Sequence, residues 1–249
     1  MLNDNTVTKL REMKLNVMAD LFKEQMSDPQ CQTMSFEDRF GMIVDRQWQT
    51  RKNNRLKSLI KQANFSDSSA CIENIDYSSR RNLDKNLILR LSECNYIHNH
   101  NSVIIMGATG TGKTYLACAL GMAAVRNFIQ VKYIRLPELL TELAIARGSN
   151  IIYSKTIPQY QKYPLLIIDE WLLHDLTEME ARDLLEIMEY REKCASTIFC
   201  SQFEVRGWRE KIRNPIVADA VCDRIVHKSY IITIDSQDSM RKLNGISQT

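Results

Sequence analysis

The chain has 249 residues, of which 44% are hydrophobic, enough for one large domain or for one domain with a smaller companion. Its formal net charge of +3 is too small to indicate a nucleic-acid partner by itself, and its seven cysteines show no zinc-ligand or disulfide-framework spacing. No apolar run is long enough to span a bilayer and residues 1–20 carry no export signal, so we expect a cytoplasmic protein without membrane attachment.

The N-terminal part of the chain shows helical rather than strand patterns. Apolar residues recur at helical spacing over residues 8–26, which predicts one amphipathic helix. A longer helix is predicted over residues 35–63, where Ser35 and Asp38 form a variant of the capping box. A third helix is predicted over residues 78–94, so we expect a small α-helical domain.

The second half of the long predicted helix is strongly basic. Six cations and no acidic residue lie between positions 46 and 61, with Trp48 and several amide side chains among them. Such a run can neutralise the phosphates of duplex DNA, and a helix face exposed to water is the alternative interpretation. The candidate DNA-binding residues are Arg46, Arg51, Lys52, Arg55, Lys57 and Lys61.

A glycine-rich segment follows the predicted strand 103–106 and precedes the helical pattern 115–128. This order of strand, loop and helix is typical of a P-loop, where backbone N–H groups and a helix N-terminus bind the phosphates of ATP. We expect Lys113 to contact the β- and γ-phosphates and Thr114 to offer its hydroxyl to Mg²⁺. The candidate nucleotide-binding residues are Gly107, Ala108, Thr109, Gly110, Thr111, Gly112, Lys113 and Thr114.

Strands and helices alternate through the rest of the chain. The patterns predict strands at 131–134, 165–168, 197–200 and 230–234, helices at 137–147, 177–193 and 216–227, and a loop at 149–163. Alternation of this kind predicts an α/β fold with a five-stranded parallel sheet covered by helices on both faces. We therefore expect a P-loop ATPase domain over residues 95–249, preceded by a helical DNA-binding and assembly domain over residues 1–94.

Two carboxylates follow the apolar run 165–168. Asp169 is expected to bind the Mg²⁺, and Glu170 to orient and polarise the water that attacks the γ-phosphate. A pair of carboxylates that cap the next helix is the alternative interpretation.

Two further residues are candidates for catalysis. Gln202, after the strand 197–200, is predicted to contact the attacking water or the γ-phosphate, with an ordinary polar loop residue as the alternative. Arg224 is predicted to stabilise phosphate charge bound by a neighbouring subunit. Pairing of Arg224 with Asp219, Asp223 or another nearby carboxylate is the alternative.

Four segments in a fixed order carry a family resemblance. GATGTGKTYLACALG, LLIIDEWLL, STIFCSQ and DAVCDRIVH resemble the IstB-like helper ATPases of insertion sequences, which are related to the DnaC-type helicase loaders within the AAA+ class. The resemblance implies an ATPase that binds duplex DNA, forms a homo-oligomeric ring or helical filament, and helps a partner transposase select and prepare target DNA in transposition. It gives Lys113 and Thr114 the Walker A roles, Asp169 and Glu170 the Walker B roles, Gln202 the sensor role and Arg224 the role of trans-acting arginine finger.

Some features differ from the wider family or fit other functions. The family commonly has Asn where this chain has Gln202. The segment after the last predicted strand is too short for the helical lid of many AAA+ proteins, so we expect no lid domain and a neighbouring subunit that completes the site. A replicative helicase loader with the same core is the alternative function. The Asp169-Glu170 pair argues against a scaffold that barely hydrolyses ATP, and a small-molecule kinase would not account for the basic helix.

Overall fold

The computed structural model describes residues 2–78 and 82–235. By its internal contacts the chain divides into two compact units, Met1–Ser58 and Leu59–Thr249. The division falls inside the long basic helix, whereas the expected boundary between a DNA-binding and an ATPase domain lies between residues 94 and 95. That functional boundary stays a prediction. The expected absence of a lid concerns residues 236–249, which lie outside the described residues.

The first unit is helical and begins with a helical hairpin, where the sequence predicted one helix over residues 8–26. That prediction is wrong, because Lys14 adopts a left-handed conformation (φ +59°) and breaks the helix. The break is hydrogen-bonded, with the Leu15 N–H donating to the Leu10 carbonyl at 2.8 Å. The helices described in this unit are α1 (Leu2–Glu12), α2 (Asn16–Ser27), α3 (Pro29–Gln32) and α4 (Phe36–Ala63), the last of which continues into the second unit.

The start of α4 confirms the long helix predicted from the capping pattern. The Asp38 N–H donates to Ser35 Oγ at 3.1 Å, and the Ser35 hydroxyl donates to the Asp38 carboxylate at 2.7 Å. A short polar side chain before the first turn thus supplies an acceptor for an N–H that has no partner within the helix. In this way the sequence fixes the N-terminus of α4 locally.

The second unit is built on a five-stranded sheet in which all neighbouring strands are parallel. The strand order is β2-β3-β4-β1-β5. The predicted α/β fold with a parallel sheet is therefore confirmed. The strands are β1 (Ser102–Gly107), β2 (Val131–Arg135), β3 (Leu165–Trp171), β4 (Ser196–Ser201) and β5 (Ser229–Ile234).

Helices connect the strands, and two of them differ from the prediction. The helix expected over residues 78–94 begins later, at Lys85, because Asp84 caps it by accepting from the N–H groups of Asn86 and Leu87. The prediction of a loop over residues 149–163 is wrong, because most of this segment forms the helix α9 (Asn150–Lys162). The helices described are α5 (Lys85–Ser92), α6 (Asn95–His98), α7 (Lys113–Arg126), α8 (Leu136–Ala146), α9 (Asn150–Lys162), α10 (Glu178–Cys194), α11 (Val205–Trp208) and α12 (Pro215–Val226).

Tertiary packing explains why α9 is helical. Its sequence contains Pro158, which removes a backbone donor and argues against a helix interior. Ile157 and Tyr160 are nevertheless buried in the core between the helices and the sheet. Burial of these two side chains outweighs the local penalty, so the helix forms against its intrinsic preference.

Among the described residues, no helix is both long enough and apolar enough to cross a bilayer.

Candidate nucleotide-binding site

The glycine-rich loop follows β1 and leads directly into α7. Gly110 and Gly112 have φ angles of +82° and +91°, which favour glycine. A Cβ atom on Gly107 would lie 2.7 Å from the carbonyl oxygen of Ile234 on β5. The loop is therefore built for close backbone approach. It ends with Lys113 as the first residue of α7, at the positive end of the helix dipole.

The side chain of Lys113 is turned back onto this loop. The residue is buried, and its Nζ donates to the carbonyl oxygens of Gly107 and Ala108, each at 2.7 Å. A buried ammonium group needs acceptors, and here the P-loop carbonyls supply them. Phosphate oxygens of a nucleotide would offer the same ammonium a charged acceptor in the same loop.

Asp169, at the carboxyl end of β3, accepts hydrogen bonds from three groups. Its Oδ2 accepts from the Thr114 hydroxyl at 2.7 Å and from the Tyr133 hydroxyl at 2.8 Å, and its Oδ1 accepts from the Glu170 N–H at 2.8 Å. The carboxylate is buried, at 5% exposure. Charge-assisted bonds of this kind hold a buried carboxylate in one orientation.

Glu170 has a different environment from its neighbour. The pairing of β3 with β4 shifts register between Ile168 and Trp171, and Glu170 has a φ angle of +56°. Its side chain is 34% exposed, and its carboxylate lies 3.9 Å from the guanidinium of Arg135 on β2. A bulge of this kind re-aims a side chain. Two adjacent carboxylates therefore differ, one buried and held by donors, the other accessible.

The donor set is suited to Mg²⁺. A threonine hydroxyl and an aspartate carboxylate lie 2.7 Å apart at the N-terminus of α7. Both are oxygen ligands, the kind that Mg²⁺ prefers, and Mg²⁺ sites commonly use one or two protein oxygens with the remaining positions filled by phosphate and water. The residues therefore fit the expected ion, with Thr114 and Asp169 as the groups that would hold it.

The sequence did not identify Tyr133 and Arg135 as part of this site. Both lie on β2, and the side chains reach Asp169 and Glu170 only because β2 pairs with β3. Burial, and then the neighbouring Asp169, raise the pKa of Tyr133, so its hydroxyl stays protonated and remains a donor at neutral pH. Strand order and register, which no local pattern specifies, were needed to find them.

Gln202 lies at the P-loop, and Arg224 pairs elsewhere within its own chain. The Thr109 hydroxyl donates to Gln202 Oε1 at 2.8 Å, so the loop after β4 contacts the loop after β1. Arg224 on α12 lies 3.4 Å from Glu189 and 3.8 Å from Glu192, both on α10. The sensor role of Gln202 and the arginine-finger role of Arg224 remain predictions.

The six candidate DNA-binding cations are all exposed on α4. Lys52 Nζ lies 4.1 Å from the ring centroid of Trp48, a cation–π contact on the surface of the first unit. Trp48 itself is 55% exposed, which is unusual for so large an apolar side chain. This surface of α4 is therefore both basic and aromatic.

These features define the class of the protein. A parallel sheet in the order β2-β3-β4-β1-β5, with a P-loop after β1 and adjacent carboxylates after β3, is the architecture of AAA+ P-loop proteins. The fold is similar to the crystal structure of the DnaC helicase loader, with a TM-score of 0.51 and 20% identity over 66% of this chain and 96% of that one. The chain belongs to the IstB-like ATP binding protein family, whose model matches residues 8–247.

Relatives within the family are similar over most of their length. An insertion-sequence ATP-binding protein of Sinorhizobium fredii is 38% identical over 242 residues, which is 97% of this chain and 98% of the relative. One from Pseudomonas fluorescens is 38% identical over 202 residues, covering 81% of this chain and 87% of the relative. The resemblance drawn from the four sequence segments is thus confirmed.

Proposed function

We propose that this protein is an ATP-hydrolysing, DNA-binding helper of transposition, which assembles on duplex DNA and acts with a partner transposase. The observation that carries the proposal is the cluster at the sheet edge, where Lys113 donates to the P-loop, Thr114 donates to Asp169 and Glu170 stays accessible. Membership of the IstB-like family and similarity to insertion-sequence ATP-binding proteins support the transposition context.

The chemical roles follow from the surroundings of each group. In this proposal the P-loop N–H groups and Lys113 bind the β- and γ-phosphates, and Gln202 contacts the attacking water or the γ-phosphate. The hydrogen bond from Thr109 to Gln202 supports this role because it brings Gln202 to the P-loop. Mg²⁺, when bound to Thr114 and Asp169, neutralises charge on the phosphate oxygens. Glu170, accessible and re-aimed by the bulge, orients the attacking water and accepts its proton.

Assembly is the part of the proposal that involves a second subunit. If the oligomer binds ATP more tightly than the monomer does, ATP favours assembly by mass action. Arg224 is the candidate trans-acting residue. Exchange of its contacts with Glu189 and Glu192 for the γ-phosphate of a neighbour would couple nucleotide state to subunit contact.

The basic surface of α4 supplies the DNA contact, and helix geometry sorts its residues by face. At about 100° per residue, Arg51, Lys52 and Arg55 fall within about 100° of one another, and Trp48 lies among them. Arg46 and Lys57 fall on the opposite side of the helix. We propose that the face with Trp48 follows the phosphate backbone most closely, and that the other candidate cations contribute mainly through their charge.

A pair of matched double variants tests the DNA contact. Arg51→Ala with Arg55→Ala and Arg46→Ala with Lys57→Ala each remove two positive charges from the same exposed helix. We expect the first pair to weaken duplex DNA binding and to reduce the slope of log K against log salt by about 1.8, for two lost phosphate contacts. The second pair, which lies on the opposite side of the helix and contributes only through its charge, should reduce the slope much less. Equal slopes in the two double variants would show that the contact is not on the Trp48 face.

Sedimentation with duplex DNA tests assembly and turnover. The wild-type protein should form large DNA-bound assemblies with ATP and smaller ones with ADP, and Glu170→Gln should retain the assemblies while phosphate release falls by about 10²–10⁴-fold. A protein that stays monomeric in every nucleotide state argues against the oligomer. The helicase-loader alternative predicts that a replicative helicase, rather than the transposase encoded with the protein, enters the assembly.

A further inference from the structure

The hydroxyl of Tyr133 on β2 reaches the Asp169 carboxylate from the neighbouring strand. Tyr133 pairs with Ile167 in the sheet register, and Asp169 lies two residues further along β3 on the same face. A two-residue step of a strand is about 6.6 Å, close to the reach of a tyrosine side chain laid along the sheet. The hydroxyl thereby arrives 2.8 Å from Asp169 Oδ2.

Asp169 Oδ2 accepts hydrogen bonds from two hydroxyl groups that have different surroundings. Thr114 donates to Asp169 Oδ2 but is also expected to offer its oxygen to Mg²⁺, whereas Tyr133 lies behind the carboxylate within the core, at 5% exposure. Tyr133 therefore contacts the metal-ligand carboxylate without being a ligand itself.

We propose that Tyr133 is a positioning residue, which holds the Asp169 carboxylate in the orientation that binds the nucleotide-associated Mg²⁺. The inference rests on the proposed function, since it assumes that Asp169 is a metal ligand. Groups that hydrogen-bond a ligating carboxylate from behind fix its direction, and their loss typically weakens metal binding about 10–100-fold. Phosphate contacts of the P-loop do not involve Tyr133, so nucleotide binding without metal is independent of it.

The test compares Tyr133→Phe with the wild-type protein in two titrations. Mn²⁺ replaces Mg²⁺ as a paramagnetic probe in the presence of a non-hydrolysable ATP analogue, and the analogue alone is titrated in EDTA. We expect the Kd for Mn²⁺ to rise about 10–100-fold in Tyr133→Phe, with the metal-free Kd for the analogue unchanged.

Tyr160→Phe is the matched control, because Tyr160 is also buried and also donates its hydroxyl to a carboxylate, that of Glu142. It should leave the Kd for Mn²⁺ unchanged. Equal Mn²⁺ affinity in Tyr133→Phe and wild type would overturn the positioning role, as would an equal loss of metal-free analogue binding, which indicates a packing role. A wild-type protein that binds no metal–nucleotide complex would overturn the proposed ATPase function itself, and this inference with it.

Discussion

Arg191 is a fully buried cation whose replacement should destabilise the second unit strongly. It lies on α10 at 1% exposure, and its guanidinium donates to acceptors on two segments of chain. One is the C-terminus of α9, where the last carbonyl groups have no partner within the helix, and the other is the start of β4. The acceptors are the carbonyl oxygens of Tyr160, Gln161, Tyr163 and Ser196 and the hydroxyl of Thr197.

The expected magnitude follows from the groups left behind in Arg191→Met. Methionine fills much of the aliphatic volume, but each buried acceptor that loses its donor costs about 1–3 kcal/mol. Relief of the desolvated charge offsets part of this sum, so we expect the free energy of unfolding to fall by about 3–5 kcal/mol. In a unit of this size that corresponds to a decrease in Tm of about 6–20 °C. Arg191→Lys keeps the charge but has three donors on a single nitrogen, so it should recover less than half of the loss.

Urea unfolding followed by circular dichroism measures the effect, with Arg182→Met as the matched control. Arg182 lies on the same helix but is 63% exposed, and its pair with Glu178 is an i,i+4 surface contact worth about 0.3–0.5 kcal/mol. If Arg191→Met and Arg182→Met unfold with the same free energy, the buried guanidinium does not stabilise the α9–β4 junction and the reasoning is wrong.

Two other predictions concern the P-loop and the buried thiols. Gly107→Ala should lower nucleotide affinity in a fluorescent-ATP titration, because the added Cβ would lie 2.7 Å from the Ile234 carbonyl oxygen. Gly41→Ala is the control. It lies in α4 with open space around its Cβ, so it should raise the free energy of unfolding by about 0.5–1 kcal/mol. A tolerated Gly107→Ala contradicts the close approach. Burial raises the pKa of Cys118 to about 11, so about one thiol in 10³ is ionised at pH 8. Its alkylation by iodoacetamide, measured by mass spectrometry, should therefore accelerate about tenfold per pH unit up to that pKa. The exposed Cys194 should react first, and comparable rates at pH 8 would contradict the burial of Cys118.

The parts of the fold that were predicted correctly are those that local sequence determines. The P-loop, the cap at Ser35 and the apolar strands are each specified within a few residues, and α7 and α4 form where the patterns indicated. The incorrect predictions concern segments whose structure depends on contacts distant in sequence or on a single backbone angle. The left-handed Lys14 divides the first helix, and the buried Tyr160 with its Arg191 partner stabilises α9 despite Pro158.

The site shows the same limit. Thr114 and Asp169 could be paired from motif spacing, because the motif order implies that the ends of β1 and β3 share one edge of the sheet. Tyr133 could not be paired in that way, since β2 must first be known to neighbour β3 in the observed register. Its sequence context, an aromatic residue within a strand, is equally typical of ordinary core packing.

The bulge at the end of β3 links these observations to the proposed chemistry. In a regular strand, two successive side chains point to opposite faces, so a metal ligand and a catalytic base could not both face the nucleotide. The register shift between Ile168 and Trp171 and the left-handed Glu170 break this alternation. A non-glycine residue in that conformation costs of order 1 kcal/mol, and it persists because Trp171 is anchored in the core against Phe199, with ring centroids 4.7 Å apart. Packing behind the strand thus stabilises the strained turn, and that turn lets the buried carboxylate of Asp169, the proposed Mg²⁺ ligand, lie beside the accessible carboxylate of Glu170.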